Sequence, residues 1–433
     1  MANLKSAFVK GYWTFSILGM LWAVFIGALM NPSVQRYALY AHKFNTNFWH
    51  NVTNPEEFGF AKGQVQPFWL TTLDNERLFC WHVLPLDVYL ENEFELASAA
   101  TAGTTVEGLK GTVGEKLMRR DAETRVVVNF HGNAGHIAQN QRPSTYRSIT
   151  SIPKTHLLTC SYRGFPPSTL SQPPYLPTET GLITDAISLL YYLQTTLSHP
   201  ASRTVLLGQS LGTAVTSAAA LYFADPLSPA LPTQITSHSW MKPSKRGSPA
   251  FTGIILVSPF RTVPLLLQTY KIGGFFPVLK PLNAYPRIAN YITASIVDTW
   301  DTASRLSALI SASYTSPSAS KHEGFHIHIL HARNDQDITF RESEALFEPL
   351  QTRMLADESV SMEEERRSIH GSERVKRGAF AYKKVADARG ERVLELEIVR
   401  HGGHNEINGW SQVGLAVRRA FERKSLRPGL DVE

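Results

Sequence analysis

The feature that most constrains this chain is five residues long. Gly208-Gln209-Ser210-Leu211-Gly212 follows the apolar run TVLL and precedes the small-residue run TAVTSAAALY. A buried strand that turns straight into a helix forces the residue at the bend into a strained backbone conformation. Glycines two positions to either side remove the Cβ atoms that would block the neighbouring chain. The pattern therefore predicts a nucleophile elbow hinged on Gly208 and Gly212, with Ser210 Oγ exposed at the carboxyl edge of a sheet. The competing reading is a glycine-rich turn carrying an incidental serine, which gives no reason for a strand and a helix on its two flanks.

The surrounding pattern supplies the sheet. Residues 125–130 (RVVVNF), 156–161 (HLLTCS), 204–208 (TVLLG), 253–258 (GIILVS) and 326–331 (HIHILH) are short apolar runs of buried-strand character. Between the second and third, Leu182, Ile183, Ala186, Leu189, Leu190 and Leu193 recur at helical spacing behind Thr178 and Glu179. Strand, helix, strand repeated in this way predicts an α/β fold with a mostly parallel sheet and helices on both faces. Residues 64–70 and 77–84 alternate around Asp74-Asn75 as a hairpin, 392–399 reads as the last strand, and 409–424 as a closing amphipathic helix. The globular unit then runs over 60–424, with polar or charged inserts at 87–123, 228–250 and 351–391 and an apolar, proline-broken segment at 263–297.

Residues 12–30, YWTFSILGMLWAVFIGALM, are nineteen positions without a charge, about 28 Å of helix and close to a bilayer's hydrocarbon thickness. With its flanks, 1–35, this segment predicts one transmembrane helix. The run is longer than a signal-peptide core and no small-x-small cleavage site follows it, which favours an uncleaved anchor over a cleaved signal; a buried core helix is the third possibility. Lys5 and Lys10 before it balance Arg36 and Lys43 after it, so charge leaves the orientation open, and Asn51-Val52-Thr53 is a lone glycosylation sequon on the far side. The net charge of +6 comes from dispersed lysines and arginines, not from a basic stretch interleaved with aromatics. That argues against nucleic acid and for an anionic membrane surface. The two cysteines, Cys80 and Cys160, both fall in expected strands; they exclude a disulfide framework and are expected to be buried thiols.

A serine hydroxyl is a weak nucleophile until a base takes its proton, so Ser210 needs an imidazole and a carboxylate that orients it. Asp335 lies just past HIHILH, with Asp337 as its competitor; His404 follows the last strand in HGGHNE, with His401 as its rival. Phe130-His131-Gly132-Asn133-Ala134-Gly135 follows RVVVN, where an oxyanion loop belongs, and makes the backbone N–H groups of Asn133 and Leu211 the candidate donors. His131 is expected to brace that loop. No third ligand accompanies the paired histidines 401 and 404, so neither a metal nor any other cofactor is expected. His82 and Asp87 fit an acyltransferase-like H-x-x-x-x-D spacing that chance alone readily produces among 15 histidines.

With HGNAG, SYRGF, GQSLG, SPF, HARND and HGGHNE in this order, the chain resembles the α/β-hydrolase superfamily and, within it, the membrane-anchored α/β-hydrolase domain-containing protein 12 group. The likeness spans about residues 64–424. It implies a triad of Ser210, Asp335 and His404, and a lipid-ester hydrolase of the endoplasmic reticulum acting on monoacylglycerols or lysophospholipids. The family's aspartate before Tyr-Arg-Gly is Ser161 here, and its glycine after Phe165 is Pro166.

The segment 263–297 is too interrupted to cross a bilayer, and its position over the sheet's carboxyl edge suits a lid or an acyl-chain wall as well as ordinary core packing. Taken with the anchor, it points to a long-chain lipid ester cleaved through an acyl-enzyme. A short-chain esterase, a serine peptidase and a catalytically silent membrane scaffold remain as alternatives.

Overall fold

The apolar runs become strands because each can bury both faces. A computed structural model describes residues 2–101, 103–237, 251–274, 276–315, 324–356, 372–387 and 390–425. Its strands are β1 (Val65–Thr71), β2 (Arg77–Val83), β3 (Val106–Glu107), β4 (Arg125–Phe130), β5 (Thr155–Cys160), β6 (Thr204–Gln209), β7 (Gly253–Val257), β8 (Lys271–Ile272), β9 (Phe276–Pro277), β10 (His326–Ala332), β11 (Ala381–Ala386) and β12 (Val393–Val399). Among the described residues ten of them form one sheet, in the order β11-β12-β10-β7-β6-β4-β5-β2-β1-β3, while β8 and β9 pair separately. From β5 through β12 the neighbours run parallel; β2 joins β5 antiparallel, and β11 joins β12 antiparallel.

Alternation within each central strand feeds two cores. Val126, Val128 and Leu206 pack with helices Glu179–Tyr191 and Leu211–Ala224 on one face, whereas Val127, Val205 and Leu207 pack with Arg142–Thr150 and Ser411–Ser425 on the other. Each such fully buried aliphatic side chain contributes about 1.5–3 kcal/mol, so a one-residue slip of β4 or β6 would be strongly opposed. Helix Glu179–Tyr191 starts where Thr178 Oγ1 accepts the Gly181 N–H at 3.0 Å, the expected N-cap.

Three expectations need amendment. The stretch 87–123, read as an unpatterned insertion, holds three short helices and supplies edge strand β3. The charged stretch 351–391 ends in β11, whose polar alternation leaves only Tyr382 and Val385 buried; residues 357–371 of that stretch, and 238–250 of the other insert, lie outside the described residues. Cys80 and Cys160 are not free thiols. The β2–β5 register sets them opposite each other, with Cα atoms 4.0 Å apart, and their sulfurs are bonded.

The chain begins with helix α1 (Ala2–Ala28), in which Ser6–Ala28 is long and apolar enough to cross a membrane. Asn31 then caps a second helix, α2 (Pro32–Tyr40), by accepting the Ser33 N–H at 2.9 Å. Helix α2 is tied into the globular unit. Arg36 pairs with Asp298 at 2.9 Å, and the buried Tyr40 hydroxyl donates to the same carboxylate at 3.0 Å.

Candidate active site

Four segments that leave the carboxyl ends of parallel strands converge at one place: the loop after β4, the turn after β6, the loop after β10 and the loop after β12. Ligand sites of open α/β sheets lie at that edge. At the end of β6 the backbone of Ser210 has φ 52° and ψ −121°, the left-handed strain expected of the bend. It is held there by its N–H, which donates to Val257 O at 2.9 Å. A Cβ on Gly208 would strike Gly212 O and Thr216 Oγ1, and one on Gly212 would strike Phe130 O. Both glycines are therefore steric requirements of the helix crossing close over β4 and β6.

The structure brings Ser210, His404 and Asp335 into one chain of contacts. Ser210 Oγ lies 3.1 Å from His404 Nε2, and His404 Nδ1 lies 2.7 Å from Asp335 Oδ2. The other carboxylate oxygen, Asp335 Oδ1, accepts the N–H groups of Asp337 at 3.0 Å and Ile338 at 2.9 Å. With its carboxylate so held, the imidazole donates from Nδ1 and presents a lone pair on Nε2 to the serine. Burial opposes charge on both partners, but the mutual attraction outweighs it. His404 is raised above its ordinary 6.5, and Asp335 is held well below the usual carboxylate range by His404 and His331. His331 adds a further fixed contact, Nε2 standing 3.2 Å from Asp335 Oδ2 while Nδ1 meets Ser343 Oγ at 2.6 Å.

The rival residues fall elsewhere. Asp337 offers its backbone N–H to Asp335, and burial raises its own carboxyl above the ordinary value; His401 is exposed. His82 is buried 2.9 Å from His156, and Asp87 instead accepts the Lys154 N–H at 2.9 Å, so the H-x-x-x-x-D spacing makes no joint site. His131 braces as expected: its ring packs on Tyr162 at 4.3 Å, and its carbonyl accepts the Tyr162 hydroxyl at 2.9 Å.

One contributor has no signal in the sequence. The Arg142 guanidinium donates to four carbonyls of the loop after β4: Gly132 at 3.1 Å, Asn133 at 2.7 Å, Ala134 at 2.9 Å and His136 at 2.5 Å. Pinning these carbonyls fixes the peptide planes of residues 132–136, and with them the direction in which their N–H groups point. Burial lowers the guanidinium to about 10, so it stays charged at neutral pH.

No protein-family model and no curated protein matches the sequence. Among solved structures, an alpha-beta hydrolase from Vibrio vulnificus matches with a TM-score of 0.50 and 14% identity, over 90% of this chain and 91% of that one. The chain has the α/β-hydrolase fold. Further matches are the Pyrococcus furiosus esterase Pf2001, at 10% identity, TM-score 0.42 and coverage of 86% and 93%, and the Butyrivibrio proteoclasticus Est1E, solved with ferulic acid bound, at 12%, 0.41 and 82% and 97%.

On this α/β-hydrolase scaffold two cavities flank the Ser210–His404 pair, one reaching the serine and the other the imidazole. One, of about 360 Å³, is walled largely by apolar side chains and reaches Ser210, Leu211 and Asn133. Phe260 and, from segment 263–297, Leu266, Leu267 and Val278 supply part of its wall, so that segment lines a cavity as well as packing into the core. The other, of about 190 Å³, is polar and includes Asn133, Gln209, Arg142, His404 and Asn408. Asn133 borders both. Among the described residues, one group with metal-ligand chemistry also occurs, His326, His328 and Glu395, all buried. Arg377 already pairs there with Glu395 at 3.0 Å and with Glu397 at 2.7 Å. A cation would be repelled by that guanidinium, so the group reads as a buried ion network.

Proposed function

We propose that this protein is a membrane-anchored serine hydrolase that cleaves lipid carboxylic esters, with Ser210 as nucleophile, His404 as general base and acid, and Asp335 as the residue that orients the imidazole. The observation that carries the reading is the Ser210–His404–Asp335 relay, with an apolar cavity reaching its serine and a polar cavity reaching its imidazole. In the reaction, His404 Nε2 takes the Ser210 proton as Oγ adds to the ester carbonyl. The N–H groups of Asn133 and Leu211 receive the developing oxyanion, a contribution of about 3–4 kcal/mol per donor. His404 then gives the proton to the leaving alcohol as the ester C–O bond breaks; water, deprotonated by the same ring, attacks the acyl-enzyme, and the proton returns to Ser210 Oγ as the fatty acid leaves.

The two cavities divide the substrate. The acyl chain belongs in the apolar one, where each buried methylene contributes about 0.8 kcal/mol; the leaving alcohol belongs in the polar one, on the His404 side that must protonate it. A single-chain ester with a hydroxylated or charged head group, a monoacylglycerol or a lysophospholipid, meets both demands. That is the substrate class implied by the resemblance to the α/β-hydrolase domain-containing protein 12 group, and it carries with it the proposal of residence in the endoplasmic reticulum membrane. The test is fluorophosphonate labelling and fatty-acid release from these lipids by the full chain and by Ser210→Ala. Labelling confined to Ser210, with release abolished in the variant, is the expected result; folded wild-type protein that neither labels nor hydrolyses any ester refutes the reading. Peptide amides in the same panel separate a peptidase from an esterase.

A further inference from the structure

We infer that helix α1 does more than anchor the enzyme: its last turns, with Leu29 just beyond them, form a wall of the acyl cavity, and segment 263–297, which packs on that wall, is seated in the bilayer. This rests on the lipid-ester reading for the nature of the occupant, but the geometry is independent of it. Phe25 and Leu29 line the cavity that reaches Ser210. Around them, Trp22, Phe25, Ile26 and Leu29 form one apolar cluster with Val278, Leu279, Leu282 and Ala289. The contact is specific, since Trp22 Nε1 donates to Val278 O at 3.0 Å and the Phe25 ring meets Phe276 edge-on at 6.2 Å. Helix α2 closes the other side. Gln35 donates to Ser295 O at 2.9 Å and accepts the Val297 N–H at 3.1 Å, and the Ala134 N–H donates to Tyr40 O at 2.9 Å.

Depth in the membrane follows from this packing. Trp22, Phe25 and Ile26 belong to the apolar stretch Ser6–Ala28. Whatever packs on them sits beside the last seven residues of that stretch, about 10 Å of helix. Segment 263–297 must then dip into the bilayer to about the depth of an interfacial amphipathic helix. Its surface suits that position. Ile272, Phe276, Tyr285, Ile288, Tyr291 and Val297 are exposed large apolar or aromatic side chains. Lys280 and Arg287 are exposed beside them, where cationic groups meet lipid phosphates. The occupant of this patch is the lipid surface, because the patch is continuous with a helix whose own apolar side chains are exposed along its length.

The test uses the full chain in lipid nanodiscs. Leu29→Trp narrows the cavity just past the end of α1; the ratio of kcat/KM for a long-chain over a short-chain monoester should fall at least tenfold, about 1.4 kcal/mol or the burial of roughly two methylenes. Leu18→Trp, at an exposed position of α1 that does not line the cavity, should leave the ratio within twofold. A long-chain fluorophosphonate with a terminal diazirine, bound to Ser210 and irradiated, should cross-link to the peptide that contains residues 22–29. An unchanged ratio in Leu29→Trp, or cross-links that spare that peptide, overturns the wall. A nitroxide on Ile288→Cys should be more accessible to oxygen than to a water-soluble nickel chelate, and the reverse order overturns the membrane seating. Were Ser210 inert to the probe, the hydrolase reading would fall, and the nitroxide alone would decide the seating.

Discussion

Asp335→Asn tests the relay at its least exposed member. In the wild type Asp335 Oδ1 is occupied by the N–H groups of Asp337 and Ile338, while Oδ2 faces His404 Nδ1 at 2.7 Å. An amide in its place keeps its oxygen on the two backbone donors, because its NH2 cannot accept from them. The NH2 therefore faces His404, and the ring must offer a lone pair at Nδ1 and carry its proton on Nε2, 3.1 Å from Ser210 Oγ. A protonated Nε2 cannot take the serine's proton. For a triad held in the wrong tautomer the loss is roughly 10⁴ in kcat, about 5.4 kcal/mol at 1.36 kcal/mol per decade. Asp335 does not border either cavity, so KM should change little and kcat/KM should fall with kcat. Asp337→Asn, whose side chain is outside the relay, should retain activity within about threefold of wild type on the same general-base argument. The assay is initial-rate hydrolysis of a monoacyl ester at neutral pH, with circular dichroism showing the variants folded. A loss below tenfold in Asp335→Asn, or a larger one in Asp337→Asn, would refute the assignment of the orienting carboxylate.

The attraction of Asp335 holds His404 above its ordinary 6.5. A general base must be neutral, so kcat/KM should rise with pH through a midpoint above 6.5, and a midpoint below that value would contradict the coupling. Arg142→Met should lower kcat by roughly a hundredfold, the scale of losing one oxyanion donor, because it frees four carbonyls of the loop that carries Asn133; KM rising instead while kcat holds would show that the arginine serves binding. The Cys80–Cys160 bond closes 80 residues of chain, for which the loop-entropy estimate is about 4.5 kcal/mol. Reduction should lower the denaturation midpoint accordingly, and two thiols open to alkylation in unreduced, denatured protein would show that the bond is absent.

How much of this was legible follows from how far apart the cooperating residues lie. The parallel strands could be read because central strands covered on both faces are continuous apolar runs, as RVVVNF, TVLLG and GIILVS are. Ser210, Asp335 and His404 could be placed because each lies on the segment that leaves its own strand's carboxyl end, and a sheet of this topology collects strand ends at one edge whatever lies between them. The charged stretch before β12 obscured β11, since an edge strand with one solvated face has no such run. Cys80 and Cys160 meet only because β2 turns to pair with β5 and not with β4, a choice of neighbour that leaves no mark near either cysteine. Arg142 stands close in sequence to its four partners, yet nothing in Gln-Arg-Pro separates it from an arginine opening any helix; its meaning comes from a loop that curls back around it. The same reasoning explains why residues 12–30 could be read as long and apolar enough to cross a membrane but not as neighbours of a cavity. Apolar side chains that face lipid and apolar side chains that face a substrate's acyl chain are chemically alike, so composition cannot tell Leu18 from Leu29. Only tertiary packing separates them: Leu29 joins the cluster of Val278 and Leu279 and lines the cavity that reaches Ser210, whereas Leu18 stays exposed.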